Sequence, residues 1–411
     1  MGDNGAVTRL LVLGAGPAQL GVLAAARQRG LTVIAADRDP SAPGFRYADR
    51  RAIVSIEDEQ AVERLARAEE IDGIVAPGSD HAVAVAARIA SRLALAHPLT
   101  PEAALLAVSK LKQREALRAA GIRQPRSLVC RTLDEVAAAA TELGGYPVVI
   151  EAPDRAGERS VALSADREAL AVAAADALAD AHGDYCLVEE LVDGPTVTVN
   201  AFSVDGRFVP LTVTDRELAP APAFGVTLLH AWPADLEPGQ IAAAIATASA
   251  AARALGVTDG PTTTQLLIAD DGPLLAKFSA RIGSGHDGEL SRVALGIDAN
   301  ALTVAAALGE PVRPQQLAPV HGVGGACVHF LVAPPGELHE VRGVEEAFAV
   351  DGVRGIRIYR KPGHVFRELR RASDRAGAIL ATGDTRDDAL DAADEAADRI
   401  RFATRAVEAV A

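Results

Sequence analysis

Short apolar runs separated by alanine-, leucine- and arginine-rich stretches open the chain. Leu10–Leu13, Thr32–Ala36 and Gly73–Ala76 read as strands, and the stretches between them carry helical spacing. Strand and helix in alternation predict βαβ units on a parallel sheet up to about Leu95. His97-Pro98-Leu99-Thr100-Pro101 reads as a joint, with Thr100 or Pro101 opening the next helix.

Beyond the joint the pattern changes. SKLKQREALRAAGIRQP at 109–125 predicts a helix closed by Gly121, and Pro147–Ile150 a strand followed by a loop holding Gly157. Strand-like runs recur at Tyr185–Glu190, Thr196–Phe202, Leu266–Ala269 and Leu274–Phe278, with a helix at Gly239–Ala254 among them. From about Val320 come short strands at Cys327–Leu331, Ile356–Tyr359 and Ala378–Thr382, then an amphipathic helix from Thr385 to Val407. The fold class read from this is α/β followed by α+β. Its predicted parts are a leading Rossmann-like domain (1–105), a central domain (106–315) and a C-terminal α+β subdomain (316–411).

Composition narrows the partners. With 411 residues, 49% of them hydrophobic, the chain can bury several cores, and a net charge of −14 opposes nucleic acid and anionic membrane surfaces. Small molecules or proteins are the expected partners. Cys130, Cys186 and Cys327 lie far apart without CxxC spacing, which suggests neither a zinc site nor a disulfide framework. The first residues run straight into a strand without the pattern of a signal peptide, and no apolar run nears the roughly 18 residues that span a bilayer. A cytoplasmic protein is expected.

Leu11-Val12-Leu13-Gly14-Ala15-Gly16-Pro17-Ala18-Gln19-Leu20-Gly21 is a strand, a glycine turn and a helix start. Asp37 sits where a dinucleotide-binding unit places its ribose-binding acid. Gln19 stands where the third glycine belongs, however, and a tight turn with no ligand accounts equally for the run.

The order of segments resembles the ATP-grasp superfamily, most closely its amino-acid (carboxylate–amine) ligases. The resemblance rests on GAGPAQLG, Asp37-Arg38-Asp39-Pro40 and Asp72–Asp80 in the leading part. It continues with Lys110, Arg114 and AAGI at 119–122, then Tyr146–Ile150, then Val188-Glu189-Glu190-Leu191-Val192-Asp193-Gly194-Pro195. It ends with residues 260–296, Pro362-Gly363-His364 and Ala381–Thr385. It implies an ATP-grasp fold with a leading Rossmann-like domain, ATP and magnesium as cofactors, a small amino-acid-like carboxylate and an amine as substrates, and a homodimer. By position it assigns Lys110, Gly157, Glu189, Glu190 and Val192 to the nucleotide. Arg281 and Lys277 fall at catalytic positions, and Arg281, Gly285 and His286 at the substrate.

The family's chemistry transfers the γ-phosphate of ATP to a carboxylate, and an amine then displaces phosphate from the acyl phosphate. A triphosphate must be neutralised by lysines and by magnesium held on carboxylates before a nucleophile can approach. Here Glu151 stands at the second phosphate lysine and Thr196 at the ribose-binding glutamate. Gln265 and Lys277 replace the two metal carboxylates, and Ser279 the ligand asparagine. At about 4 Å, exchanging a cation for an anion turns an attraction of about 4 kcal/mol into a similar repulsion at an effective dielectric near 20. An amide, an ammonium and a hydroxyl are poor magnesium ligands, and no metal ligand set is assigned.

Each retained residue also has a plainer account: Lys110 an exposed helix lysine, Glu189 and Glu190 a strand end, Arg281 a structural ion-pair partner, His286 a structural histidine. Gly78, Ser79 and Asp80 are read as shaping a turn, with contact to the substrate as the alternative. Three readings follow. The first is a ligase with rewired phosphate handling, in which Lys277 binds phosphate and Glu151 binds metal. The second is a pseudo-ligase that binds a metabolite or partners an active ligase, with Glu151 and Lys277 bridged across the cleft. The third, different chemistry in the inherited cleft, has no nucleophile–base constellation behind it.

Overall fold

The computed structural model describes residues 7–151, 161–180 and 185–406. Strands β1 (Arg9–Leu13), β2 (Thr32–Asp37), β3 (Arg50–Ile53) and β4 (Gly73–Val75) form a parallel sheet in the order β3-β2-β1-β4. β1, β2 and β4 are near-continuous apolar runs, as suits strands covered on both faces, while the edge strand β3, Arg-Arg-Ala-Ile, is largely exposed. The helix Asp80–Arg92 follows β4, with the Ser79 hydroxyl accepting from the Ala82 N–H as its cap.

β5 (Ser127–Cys130), β6 (Val148–Glu151), β7 (Val161–Ser164) and β8 (Cys186–Glu190) make an antiparallel sheet in the order β5-β8-β6-β7. Its apolar face packs against the helices Leu133–Glu142 and Arg167–Asp180 through Val136, Ala140, Ile150, Leu170 and Val188. Cys130 and Cys186, far apart in sequence, are direct cross-strand partners here, both buried and unbridged.

The largest sheet has eight antiparallel strands. Its members are β9 (Thr196–Val204), β10 (Arg207–Leu218), β11 (Thr227–Trp232), β12 (Gly260–Ala269), β13 (Gly272–Ser279), β14 (Gly325–Leu331), β16 (Val353–Ile358) and β18 (Gly377–Gly383), in the order β13-β12-β9-β10-β11-β14-β18-β16. Hydrogen bonding therefore continues from the central segment into residues beyond 316 through β11 and β14. β15 (Gly336–Arg342), β17 (Val365–Phe366) and β19 (Arg401–Arg405) form a small fourth sheet in the order β17-β15-β19. Among the described residues no helix is long and apolar enough to cross a membrane.

Three differences from the sequence pattern have physical causes. β10 was hidden by Pro210, which a central strand tolerates because the ladder slips between Pro210 and Thr212. β11 follows a proline-rich turn and was hidden with it. The C-terminal helix does not reach Val407: it spans Arg386–Arg399, and the chain turns extended at Ile400 to form β19 against β15. Phe402 explains the switch, because as a strand residue it packs near Phe366 and Leu338.

Candidate active-site cleft

Opposed residues of paired strands share a sheet face, so the register of the large sheet lays out its polar side chains in rows. One row runs Lys277, Gln265, Thr198, Thr214 across β13, β12, β9 and β10, and the next runs Ser279, Thr263, Asn200, Thr212. The opposite face carries Val199, Leu266 and Phe278 into the core against the helix Pro238–Ala254. Asn200 ties the second row together. Its Nδ2 donates to Thr212 Oγ1 (3.2 Å) and Asp287 Oδ1 (3.0 Å), and the Thr263 hydroxyl lies 3.1 Å from both Asn200 Oδ1 and the Arg281 carbonyl. The hydroxyls of Thr198 and Thr214 are buried with no hydrogen-bond partner.

Two predicted catalytic residues, Lys277 and Arg281, converge on Asp80 of the leading sheet's helix. Lys277 Nζ is 2.9 Å from Asp80 Oδ2 and Arg281 Nε is 2.6 Å from Asp80 Oδ1. Burial alone would raise the Asp80 carboxyl; Arg281 and Lys277 outweigh it and hold it well below the ordinary aspartate range. Residues 78–80 therefore do more than shape a turn. Gly78 takes a left-handed conformation and Ser79 caps the helix, while Asp80 supplies the counter-ion of the cleft.

Glu151 and Lys277 do not bridge each other. Glu151 pairs with Lys110, and beside them Arg114 pairs with the buried Glu189. The four form a charge-balanced group at the ends of β6 and β8. The Glu189 carboxyl is raised by burial and by Glu151, against the pull of Lys110 and Arg114. Glu190 bonds instead to Arg126 at 2.7 Å near the surface. Val192 follows β8 and is half-buried, and Gly157 lies outside the described residues.

Beyond β13, the loop from Gly283 leads into the helix Asp287–Leu295, capped by His286 in a left-handed conformation (φ 61°). His286 Nδ1 is 3.1 Å from Glu289 Oε1 and its Nε2 is 2.5 Å from the Tyr359 hydroxyl. Glu289 also accepts from Asn300 (3.3 Å) and Arg357 (3.4 Å). Burial pushes Glu289 up, but His286, Arg357 and Asn300 together hold it down to about 2. Gly285 donates its N–H to Asp287 Oδ2 at 3.0 Å, and a Cβ there would lie 2.4 Å from His230 Nε2, so glycine is required for the loop to close on that ring. His230 is buried, its Nδ1 has no partner, and burial lowers it to about 4.

Arg281, Gly285, His286 and Lys277 are thus brought onto one side of the large sheet through the Thr263–Asn200–Asp287 chain. Asp80, His230, Arg357 and Tyr359 join them unannounced by the sequence. Alternation within β11 was the signal available for His230. The other three act across long separations in sequence and left none.

The donor set does not fit magnesium. Gln265 and Ser279 are neutral, Lys277 is a cation, and the nearby carboxylate of Asp80 is already held between two cations; among the described residues no group of three or more His, Cys, Asp or Glu could hold a metal.

Comparison with known proteins places this geometry. Residues 109–314 match the family described as carbamoyl-phosphate synthase L chain, ATP binding domain, and residues 329–405 match L-amino acid ligase C-terminal domain 2. A Sinorhizobium fredii protein designated y4rH is 27% identical over 79% of this chain and 67% of its own length. Formate-dependent phosphoribosylglycinamide formyltransferase of Burkholderia pseudomallei is 27% identical, covering 96% of this chain and 95% of that protein. The crystal structure of L-amino acid ligase from Bacillus licheniformis superposes with a TM-score of 0.82 at 21% identity, covering 97% of this chain and 99% of that one. With a family match over half its length and the same architecture throughout, the chain belongs to the ATP-grasp superfamily.

Proposed function

We propose that this member of a carboxylate–amine ligase lineage is a pseudo-ligase: it binds a small amino-acid-like molecule in the cleft without magnesium-dependent turnover of ATP. One observation carries the reading. The cations that a triphosphate would need are closed onto internal carboxylates, Lys110 onto Glu151 and Lys277 with Arg281 onto Asp80. Replacing a metal carboxylate by Lys277 puts a positive charge where a magnesium ion would be repelled.

Beside the loop at Gly285 and His286 the buried His230 Nδ1 has no partner and is available to a polar group of a ligand, while Asp287 and Glu289 are held by Asn200, Gly285, His286, Asn300 and Arg357 and fix the loop's shape. Arg281 borders this region with a planar fork suited to an oxyanion. We read 1–105, 106–315 and 316–411 as leading domain, central domain and subdomain, the last sharing a sheet with the second.

The working-ligase reading, ATP-dependent amide bond formation through an acyl phosphate, is favoured by the family description of residues 109–314 as ATP binding. One experiment separates the two. Purified protein is titrated calorimetrically with a panel of amino acids and assayed for ADP release with Mg·ATP and the best binder. Amino-acid binding without magnesium-dependent ADP release supports the pseudo-ligase. Sustained ADP release with an amide product establishes the ligase and rejects our reading.

A further inference from the structure

We infer that Cys130 and Cys186 form a reversible redox switch, oxidised by a low-molecular-weight disulfide to a bridge that staples the edge strand β5 to β8. Such a switch is independent of what the cleft binds and of whether the cleft turns over ATP.

Cys130 is the last residue of β5 and Cys186 the first of β8, and the antiparallel register sets them directly opposite each other. Opposed residues point to the same face of a sheet, and both thiols lie in the cluster beneath the helices Leu133–Glu142 and Arg167–Asp180. The Cα atoms of such a pair are roughly 4.5–5.5 Å apart, inside the roughly 4.4–6.8 Å that a disulfide spans. Spacing along the chain gave no sign of the pair, because strand pairing alone brings it together. Cys327 has no such neighbour: it faces Ala231 and Ala381 across β14, and its Sγ donates to the Ala389 carbonyl at 3.2 Å.

Access comes from the edge of the sheet. Among the described residues β5 pairs with β8 alone, and its terminal pair is where the ladder frays at least cost. Val129 and Arg131, on either side of Cys130, are exposed. In the closed ladder the two thiols are 1% and 0% exposed, and burial pushes Cys130 up to about 12 and Cys186 to about 11, so reaction waits for fraying. The freed Cys130 gives its proton to water, and its thiolate attacks one sulfur of the small disulfide. The other half leaves as a thiolate and takes up a proton. Cys186, deprotonated in turn, attacks Cys130 Sγ in the mixed disulfide, which forms the protein S–S bond and expels the second small thiol. Two protein thiols are thereby oxidised and one small disulfide is reduced to two thiols. Cross-strand Cβ atoms, usually about 4.5–5.5 Å apart, must close toward the ~3.8 Å of a disulfide, and that strain keeps the bridge readily reducible. Further along the same ladder Ser127 faces Glu189, and Arg126 binds Glu190, so the staple fixes the strand on which that end of the cleft rests.

The test incubates the reduced full chain in oxidised glutathione without denaturant, then counts thiols by alkylation, weighs the intact chain and maps its peptides. Two of the three thiols should disappear, with a mass lower by two hydrogens, a peptide pair joining Cys130 to Cys186, and full recovery in dithiothreitol. Hydrogen exchange of the β5 amides should slow at least about tenfold on oxidation, because the frayed state is closed off. Cys186→Ser should stop at a glutathione adduct on Cys130; if that variant fails to fold, the wild-type mass and peptide map decide alone. Retention of all three thiols, glutathione adducts without a bridge in the wild type, a bridge to Cys327, or bridging only after urea is added would each overturn the switch. A bridge that resists dithiothreitol, or one that leaves β5 exchange unchanged, would overturn it as well.

Discussion

Asp80 and Arg281, 201 positions apart in the chain, meet at 2.6 Å and tie the leading parallel sheet's helix to the end of β13. Removing the carboxylate leaves two neighbouring cations, one on β13 and one just beyond it, without their counter-ion. Asp80→Ala should cost about 2–3 kcal/mol, toward the low side for a largely buried pair because Lys277 stays partly hydrated. Urea unfolding checks this. Wild-type stability in that variant would mean the contact contributes nothing to holding the segments together.

Arg114 and Glu189 form the more deeply buried pair, with side chains 6% and 10% exposed. Arg114→Leu alone should destabilise by about 3–5 kcal/mol, since Glu189 would lie uncompensated beside Glu151; Arg114→Leu with Glu189→Leu should recover most of that loss. Comparison of both variants by thermal unfolding reads the difference. A double variant no better than the single would show that the pair does more than cancel its own burial.

Acid should weaken the fold in two steps. His230 is held at about 4 in the fold against an ordinary 6.5, so below 6.5 the unfolded chain binds the extra proton first. Stability contributed by its neutral ring is complete above pH 6.5 and falls by about 3 kcal/mol as the pH drops to 4. Glu289, held at about 2 against an ordinary 4.5, gives a second loss between pH 4.5 and 2. His230→Gln should remove the larger part of the upper step, leaving what His97 and His364, also lowered by burial, contribute, and should leave the lower step unchanged. Urea midpoints at a series of pH values report both, and a flat profile from pH 7 to 4 in the wild type would contradict the assignment to His230.

Asn300 is gripped between two glycines. A Cβ on Gly21 would lie 2.5 Å from its Nδ2, and one on Gly288 2.6 Å from the same amide. Gly21→Ala should therefore push the Asn300 amide off Glu289 and cost about 1–3 kcal/mol, the range for overpacking a close contact. The same variant should raise the pH of the lower acid step, because Glu289 loses one of the donors that hold it ionised. An unchanged lower step would separate Asn300 from the Glu289 network.

Much of the fold was legible because periodicity reports it. The parallel sheet announced itself through fully apolar strands, and the paired positions Gln265 and Lys277 through the order of motifs along β12 and β13. What sequence could not rank was which cation takes which carboxylate. The order of motifs set Glu151 against Lys277, whereas the contact of Lys110, at the start of the helix Lys110–Ala119, with the end of β6 gives Glu151 a different partner. Asp80 looked like a turn residue because its partners lie on another sheet. Phe402 was folded into a helix by its alanine-rich surroundings, although its burial against Phe366 needs a strand.

The Lys110–Glu151 pair also bears on ancestry. Returning position 151 to the lysine of the family would set that charge beside Lys110 and Arg114, with Glu189 as the sole anion of the group. Replacing Glu189 or Arg114 alone would strand a buried charge in the same place. Every one-step reversal thus passes through a form less stable than this one, and only coordinated changes avoid it. The charge at position 151 is set by the charges around it, and only paired exchanges keep the group balanced.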